Sequence, residues 1–144
     1  MNVITIPNIN NYTLQIIDNT LILTKIIPYI SEEELFKQDL KNSNILECKI
    51  NNVDINIKKY KTLLLHLYSD MNTVDILANT ILNIKQEQIN DKGFNYYPSL
   101  NLSIQGSESI RTLREILNII KFKKHNIELK LKLKNNIIEF KTNI

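Results

Sequence analysis

The stretch Leu46-Glu47-Cys48-Lys49-Ile50-Asn51-Asn52-Val53-Asp54-Ile55-Asn56-Ile57 alternates apolar and polar residues on both sides of an Asn-Asn pair. Asparagine tolerates positive φ, so the pair fits a two-residue type I′ turn and the flanks read as a hairpin. Such a turn sets Ile50 opposite Val53, Cys48 opposite Ile55 and Leu46 opposite Ile57, which gathers six apolar side chains on one face.

The same pattern recurs twice. Leu129, Leu131 and Leu133 lead to Asn135-Asn136, and Ile138 and Phe140 return. A turn at that pair places Leu133 against Ile138, Leu131 against Phe140 and Lys132 against Glu139. Near the N-terminus, Leu14 and Ile16 pair with Leu23 and Leu21 across Asp18-Asn19, with Ile17 and Ile22 making the outer face apolar too. Leu82 to Gln86 and Leu100 to Ile104 read as two more strands.

Helices separate the hairpins. Ser31-Glu32-Glu33-Glu34 is a capping box and predicts a helix over 31–40. Tyr60, Leu63, Leu64 and Leu67 form a stripe over 58–69, and Asn72 with Asp75 starts a brief helix to 79. The longest helix is expected from Ser107 to Lys124, with Ile110, Leu113, Leu117 and Ile120 inward, and with Asn126 able to take the left-handed conformation at its end. The expectation is an α+β fold: two layers, a mostly antiparallel sheet built from β-hairpins, and three to four helices in a single domain over 1–144.

The 144 residues, 43% hydrophobic and 23% charged, exclude wholesale disorder and collagen. With 26 Ile against 3 Val, 16 Lys against 2 Arg, 21 Asn and one Ala, the composition carries the mark of AT-rich codons. Lysine and asparagine are therefore default polar residues here. Gly93-Phe94-Asn95-Tyr96-Tyr97-Pro98, followed by Ser103-Ile104-Gln105-Gly106 and Thr112-Leu113-Arg114-Glu115-Ile116, resembles small uncharacterised proteins of amoebal giant DNA viruses of the mimivirus kind. The resemblance spans about a third of the chain and brings no known chemistry with it.

There is no 18-residue apolar run and no basic leader followed by an apolar segment, so neither a membrane nor a secretory route is expected. A lone cysteine, Cys48, suits a reducing compartment, either host cytoplasm or virion. Glycosylation patterns at Asn11 and Asn101 are discounted on that ground.

The chemistry is sparse. Two histidines and one cysteine cannot assemble an ordinary zinc site. Cys48 with His66 is a nucleophile pair on paper, but a cysteine on an inward strand face is usually inert. Glu32, Glu33 and Glu34 are helix-start residues rather than acid/base catalysts. No phosphate loop, dinucleotide fingerprint or nucleophile elbow is present. No catalytic residue, cofactor or metal is therefore assigned.

Two constellations stand out. Gly106, Ser107, Ser109, Arg111 and Arg114 form a strand–glycine–helix junction that could hold an anion, although Glu108 would repel it and Glu108–Arg111–Glu115 reads equally as a surface ion-pair ladder. Residues 121–144 carry a net +5 against −2 for the rest. Lys121, Lys123, Lys124, Lys130, Lys132 and Lys134 could follow a nucleic-acid backbone, or could protect a solvated edge strand. The favoured function is a non-enzymatic protein–protein interaction or accessory protein of a large DNA virus, self-associating through apolar residues such as Ile17, Ile22 and Leu65. Nucleic-acid binding by the basic hairpin is the alternative.

Overall fold

In the computed structural model, which describes residues 3–9 and 12–142 with side chains throughout from Tyr29 onward, Asn51 and Asn52 have φ of +51° and +66°, as a type I′ turn requires. Asp18 and Asn19 do the same at +48° and +65°. The first strands are β1 (Val3–Ile9), β2 (Tyr12–Ile17) and β3 (Thr20–Ile30), followed by helix α1 (Glu32–Leu35), β4 (Asn44–Ile50) and β5 (Val53–Asp54). Next come α2 (Tyr60–Tyr68), α3 (Thr73–Asn79), β6 (Ile84–Lys85), β7 (Phe94–Tyr97), β8 (Leu102–Gln105) and α4 (Ser109–Lys123). The last hairpin is β9 (Ile127–Lys132) and β10 (Asn136–Lys141). The fold is α+β. Contacts divide the chain into two compact units, one holding β1–β5, α1, β9 and β10, the other α2–α4 and β6–β8.

The first unit is a seven-stranded sheet in the order β1-β2-β3-β10-β9-β4-β5. Leu14 pairs with Leu23 and Ile16 with Leu21, the register the alternation predicts. The final hairpin inserts between β3 and β4, so β10 runs parallel to β3 while every other neighbouring pair is antiparallel. β1 and the parallel pairing have no counterpart in the sequence reading. The side chains of Ile17 and Ile22 lie outside the described residues.

Two hairpin expectations are corrected. β5 has only two residues: Ile50 does pair with Val53 and Ile55 N–H still reaches the Cys48 carbonyl at 2.9 Å, but the β4–β5 ladder ends before the expected Leu46–Ile57 pair. β4 takes its long ladder from β9 instead, with a bulge between Ile45 and Glu47. Val53, at the sheet's end, is 60% exposed. In the last hairpin Leu131 meets Ile138, Leu129 meets Phe140 and Lys130 meets Glu139. Its turn is Lys134-Asn135, neither with positive φ, closed by Leu133 N–H to Asn136 O at 2.8 Å. The expected and observed registers put the same residues on the same face, so alternation cannot choose between them. The second neighbour of β10, which is β3, adds the constraint the isolated hairpin lacks.

Ser31 Oγ accepts from Glu34 N–H at 3.1 Å, yet α1 stops at Leu35. Gln38 and Asp39 occupy the positions where a longer helix would need its next apolar residue. The chain turns instead, and Leu35 and Leu40 are both fully buried.

In the second unit β6, β8 and β7 form a three-stranded antiparallel sheet, of which β7 has no counterpart in the sequence reading. Asn72 caps α3 by accepting from Asp75 N–H at 2.8 Å. α4 packs on α2 and α3. Glu108, not Ser107, is its N-cap residue, and Lys124 at φ +56° takes the left-handed position expected of Asn126. Leu113, Ile116, Leu117, Ile119 and Ile120 are buried on α4, a wider face than the four-residue stripe, and Ile110 is only half-buried.

Lys123 Nζ donates to Asp70, which follows α2. This hydrogen bond, more than the accompanying charge, holds the Asp70 carboxyl below its ordinary value. A carboxyl depressed in the folded state stabilises it above the unfolded pKa and loses that contribution as pH falls through the folded pKa. Thermal melts across acid pH should show this loss in the natural protein and not in Asp70→Asn. Because Asp70 is 70% exposed, the effect should stay below about 1 kcal/mol.

Candidate functional site

Gly106, Ser107, Glu108 and Arg111 line a shallow, open depression at the start of α4. The structure therefore brings three of the five anion candidates together, with an acidic residue among them. The Arg111 guanidinium donates to the Ile81 carbonyl at 2.7 Å, and Ser107 Oγ meets Thr112 Oγ1 at 2.9 Å. Ser109 is half-buried and Arg114 exposed.

One turn further along α4 the sequence reading is overturned. Glu115, expected in a surface ladder with Arg111, is fully buried. Its Oε2 accepts from the Tyr68 and Thr80 hydroxyls, and its Oε1 from Asn118 Nδ2 at 2.9 Å and Ile81 N–H at 3.2 Å. Asn118 also donates to the Asn79 carbonyl at 2.6 Å, and Leu82 N–H donates to Thr80 Oγ1 at 3.0 Å. Arg111, Glu115 and Asn118 are spaced i, i+4, i+7, so one face of α4 holds the connection from α3 to β6 by its backbone. Burial, and then the hydrogen bond to Glu115, push the Tyr68 phenol well above the usual range. Both oxygens of the acceptor-only group are engaged by donors, an arrangement that fixes a loop. Glu115 lies three residues after Thr112 and four before Ile119, so it shares the face of α4 that these two buried residues occupy.

The lysine candidates fall in both units. On the second, Lys121 and Lys124 are exposed and Lys123 is bound to Asp70. On the first, β9 is an inner strand between β10 and β4, not an edge. Lys130 faces Glu139 on one side and Glu47 on the other, while Lys132 lies between Ile137 and Asn44. Lys134 is exposed in the turn. One step back along β9, Glu128 lies between Lys141 and Lys49. Cys48, Leu129 and Phe140 alternate with these residues and are buried, so the charged side chains share the sheet's outer face. Two rows cross three strands there: Glu47–Lys130–Glu139, and Lys49–Glu128–Lys141.

Beside them β3 bulges between Ile27 and Ile30. Tyr29, at φ +43°, is 55% exposed, and the Lys141 ammonium lies 4.5 Å from its ring centroid. A bulky residue in the left-handed region is strained, and bulges re-aim side chains. Tyr29, Glu47, Lys49, Glu128, Lys130 and Glu139 line a cavity of about 90 Å³, with Cys48 beneath.

Cys48 is buried in the first unit and its thiol is pushed up to about 11 by desolvation; His66 is an exposed residue of the second. Of the helix-start acids, Glu33 pairs with Lys37 at 3.3 Å. Asn101 is exposed, Leu65 is half-buried, and Asn11 lies outside the described residues. Among the described residues no three His, Cys, Asp or Glu side chains are grouped to hold a metal, and no helix is long and apolar enough to cross a membrane. No protein-family model, curated protein or solved structure matches the chain.

Proposed function

We propose that the protein is a non-enzymatic interaction protein that self-associates, working in the host cytoplasm or virion of a large DNA virus. The viral part rests on the AT-rich composition and on the 93–116 segments. The observation that carries the interaction reading is the outer face of the first unit's sheet, where a strained, exposed tyrosine adjoins two rows of alternating charge. Strain of this kind is retained where a surface is used. The buried carboxylate supports the non-enzymatic reading, since its hydrogen bonds are spent on a loop.

Light scattering with size-exclusion chromatography at tens to hundreds of micromolar in low salt should give a mass above the 16.9 kDa of one chain; a monomer throughout would overturn self-association. The alternative is nucleic-acid binding by Lys130, Lys132 and Lys134. Glu47 and Glu139 on either side of Lys130 weaken it, because acidic side chains flanking that lysine repel a phosphate backbone. A single-stranded oligonucleotide followed by fluorescence anisotropy should therefore show no binding at about 150 mM salt. Binding that weakens steeply with salt would move the function to nucleic acid.

A further inference from the structure

The two charged rows also specify how a second copy would sit. Taken in the strand order β4, β9, β10, one row reads acidic, basic, acidic (Glu47, Lys130, Glu139) and the next basic, acidic, basic (Lys49, Glu128, Lys141). Among the described residues Glu47, Lys49, Glu128, Lys130 and Glu139 make no ion pair within 4 Å, and Lys141 leans over Tyr29. We propose that this face binds a second copy of the chain about a twofold axis that runs over the outer face, parallel to the sheet and perpendicular to the strands, midway between the rows.

The symmetry follows from the signs. That axis lays each row of one copy on the other row of its mate: Glu47 on Lys49, Lys130 on Glu128 and Glu139 on Lys141, each twice, all of opposite charge. A twofold along the strands fails, since it sets Glu47 on Glu139 and Lys49 on Lys141. The bulge places Tyr29 between the residues opposite Ile138 and Phe140, near the level of the proposed axis. The two copies' exposed rings therefore approach each other at its end, where aromatic contact adds to the charge pairs. Six charged residues and a tyrosine make a small patch, so the association belongs to the weak, salt-sensitive class.

The inference rests on the self-association reading, and the test separates the two. Sedimentation at low salt should show a dimer that weakens as salt rises. Lys130→Glu sets a new carboxylate against Glu128 of the mate at two symmetric points, and Glu128→Lys sets a new ammonium against Lys130 in the same way. Each should raise the dissociation constant by about tenfold or more, with circular dichroism confirming the fold. An equimolar mixture of the two variants pairs three acids with three bases on one side and restores the natural pattern on the other, so it should associate at least as well as the natural protein. A monomeric natural protein overturns self-association itself. Association untouched by either variant leaves self-association standing and overturns this face. Weakening by both without rescue in the mixture overturns the twofold arrangement.

Discussion

Glu115→Ala should destabilise the second unit by on the order of 4 kcal/mol, because a donor stranded in the interior costs about 1–3 kcal/mol and only some of those left behind can re-pair. Tyr68, Thr80, Asn118 and the Ile81 amide all lose their acceptor at once. At about 2–4 °C per kcal/mol for a chain of this size, the midpoint should fall by roughly 10 °C. Glu115→Gln keeps one carbonyl oxygen but turns an amide N–H₂ toward donors, so it should lose about half as much. Hydrogen exchange localises the effect: the Ile81 and Leu82 amides, held by Glu115 and Thr80, should lose protection in Glu115→Ala before the β8 amides do. A loss below about 1 kcal/mol, with those amides still protected, would mean that the carboxylate does not hold the loop.

That network shows where reading the sequence stops. Ser31, Asn72 and the Asp18-Asn19 and Asn51-Asn52 turns were legible because each is settled by residues within three or four positions. Glu115 was misread because the opposite charge one turn back on the same helix face, Arg111, suggested a local ladder, whereas all its partners but Asn118 come from α2 and from the segment after α3. The lysines of β9 alternate visibly in the sequence. Their character is nevertheless set by Glu47 from β4 and by a two-residue register shift that moves Glu139 from Lys132 to Lys130. Both depend on which strands flank β9, and that order requires the last hairpin to insert between β3 and β4. The β3 bulge that lifts Tyr29 belongs to the same parallel pairing, so the face proposed for self-association could not be assembled from the pattern of any one segment.

Cys48 supplies the other large effect, on reactivity. Its side chain is 3% exposed on the inner face of β4, and desolvation raises the thiol from 9.0 to about 11. At about pH 8 that shift alone cuts the thiolate, the attacking species, by about 100-fold. Burial then blocks access to what remains. Alkylation by iodoacetamide should therefore be at least about 100-fold slower in the folded protein than in denaturant, and the folded rate should rise with denaturant as opening exposes the strand. The same shift has a thermodynamic consequence. The unfolded chain loses the thiol proton near pH 9 and the folded chain only near 11, so between those values rising pH favours the unfolded state. Cys48→Ala should remove that part of the alkaline destabilisation. Rapid alkylation of the folded protein would place Cys48 on the outer face, and the alternation that turns Glu47 and Lys49 outward would be wrong with it.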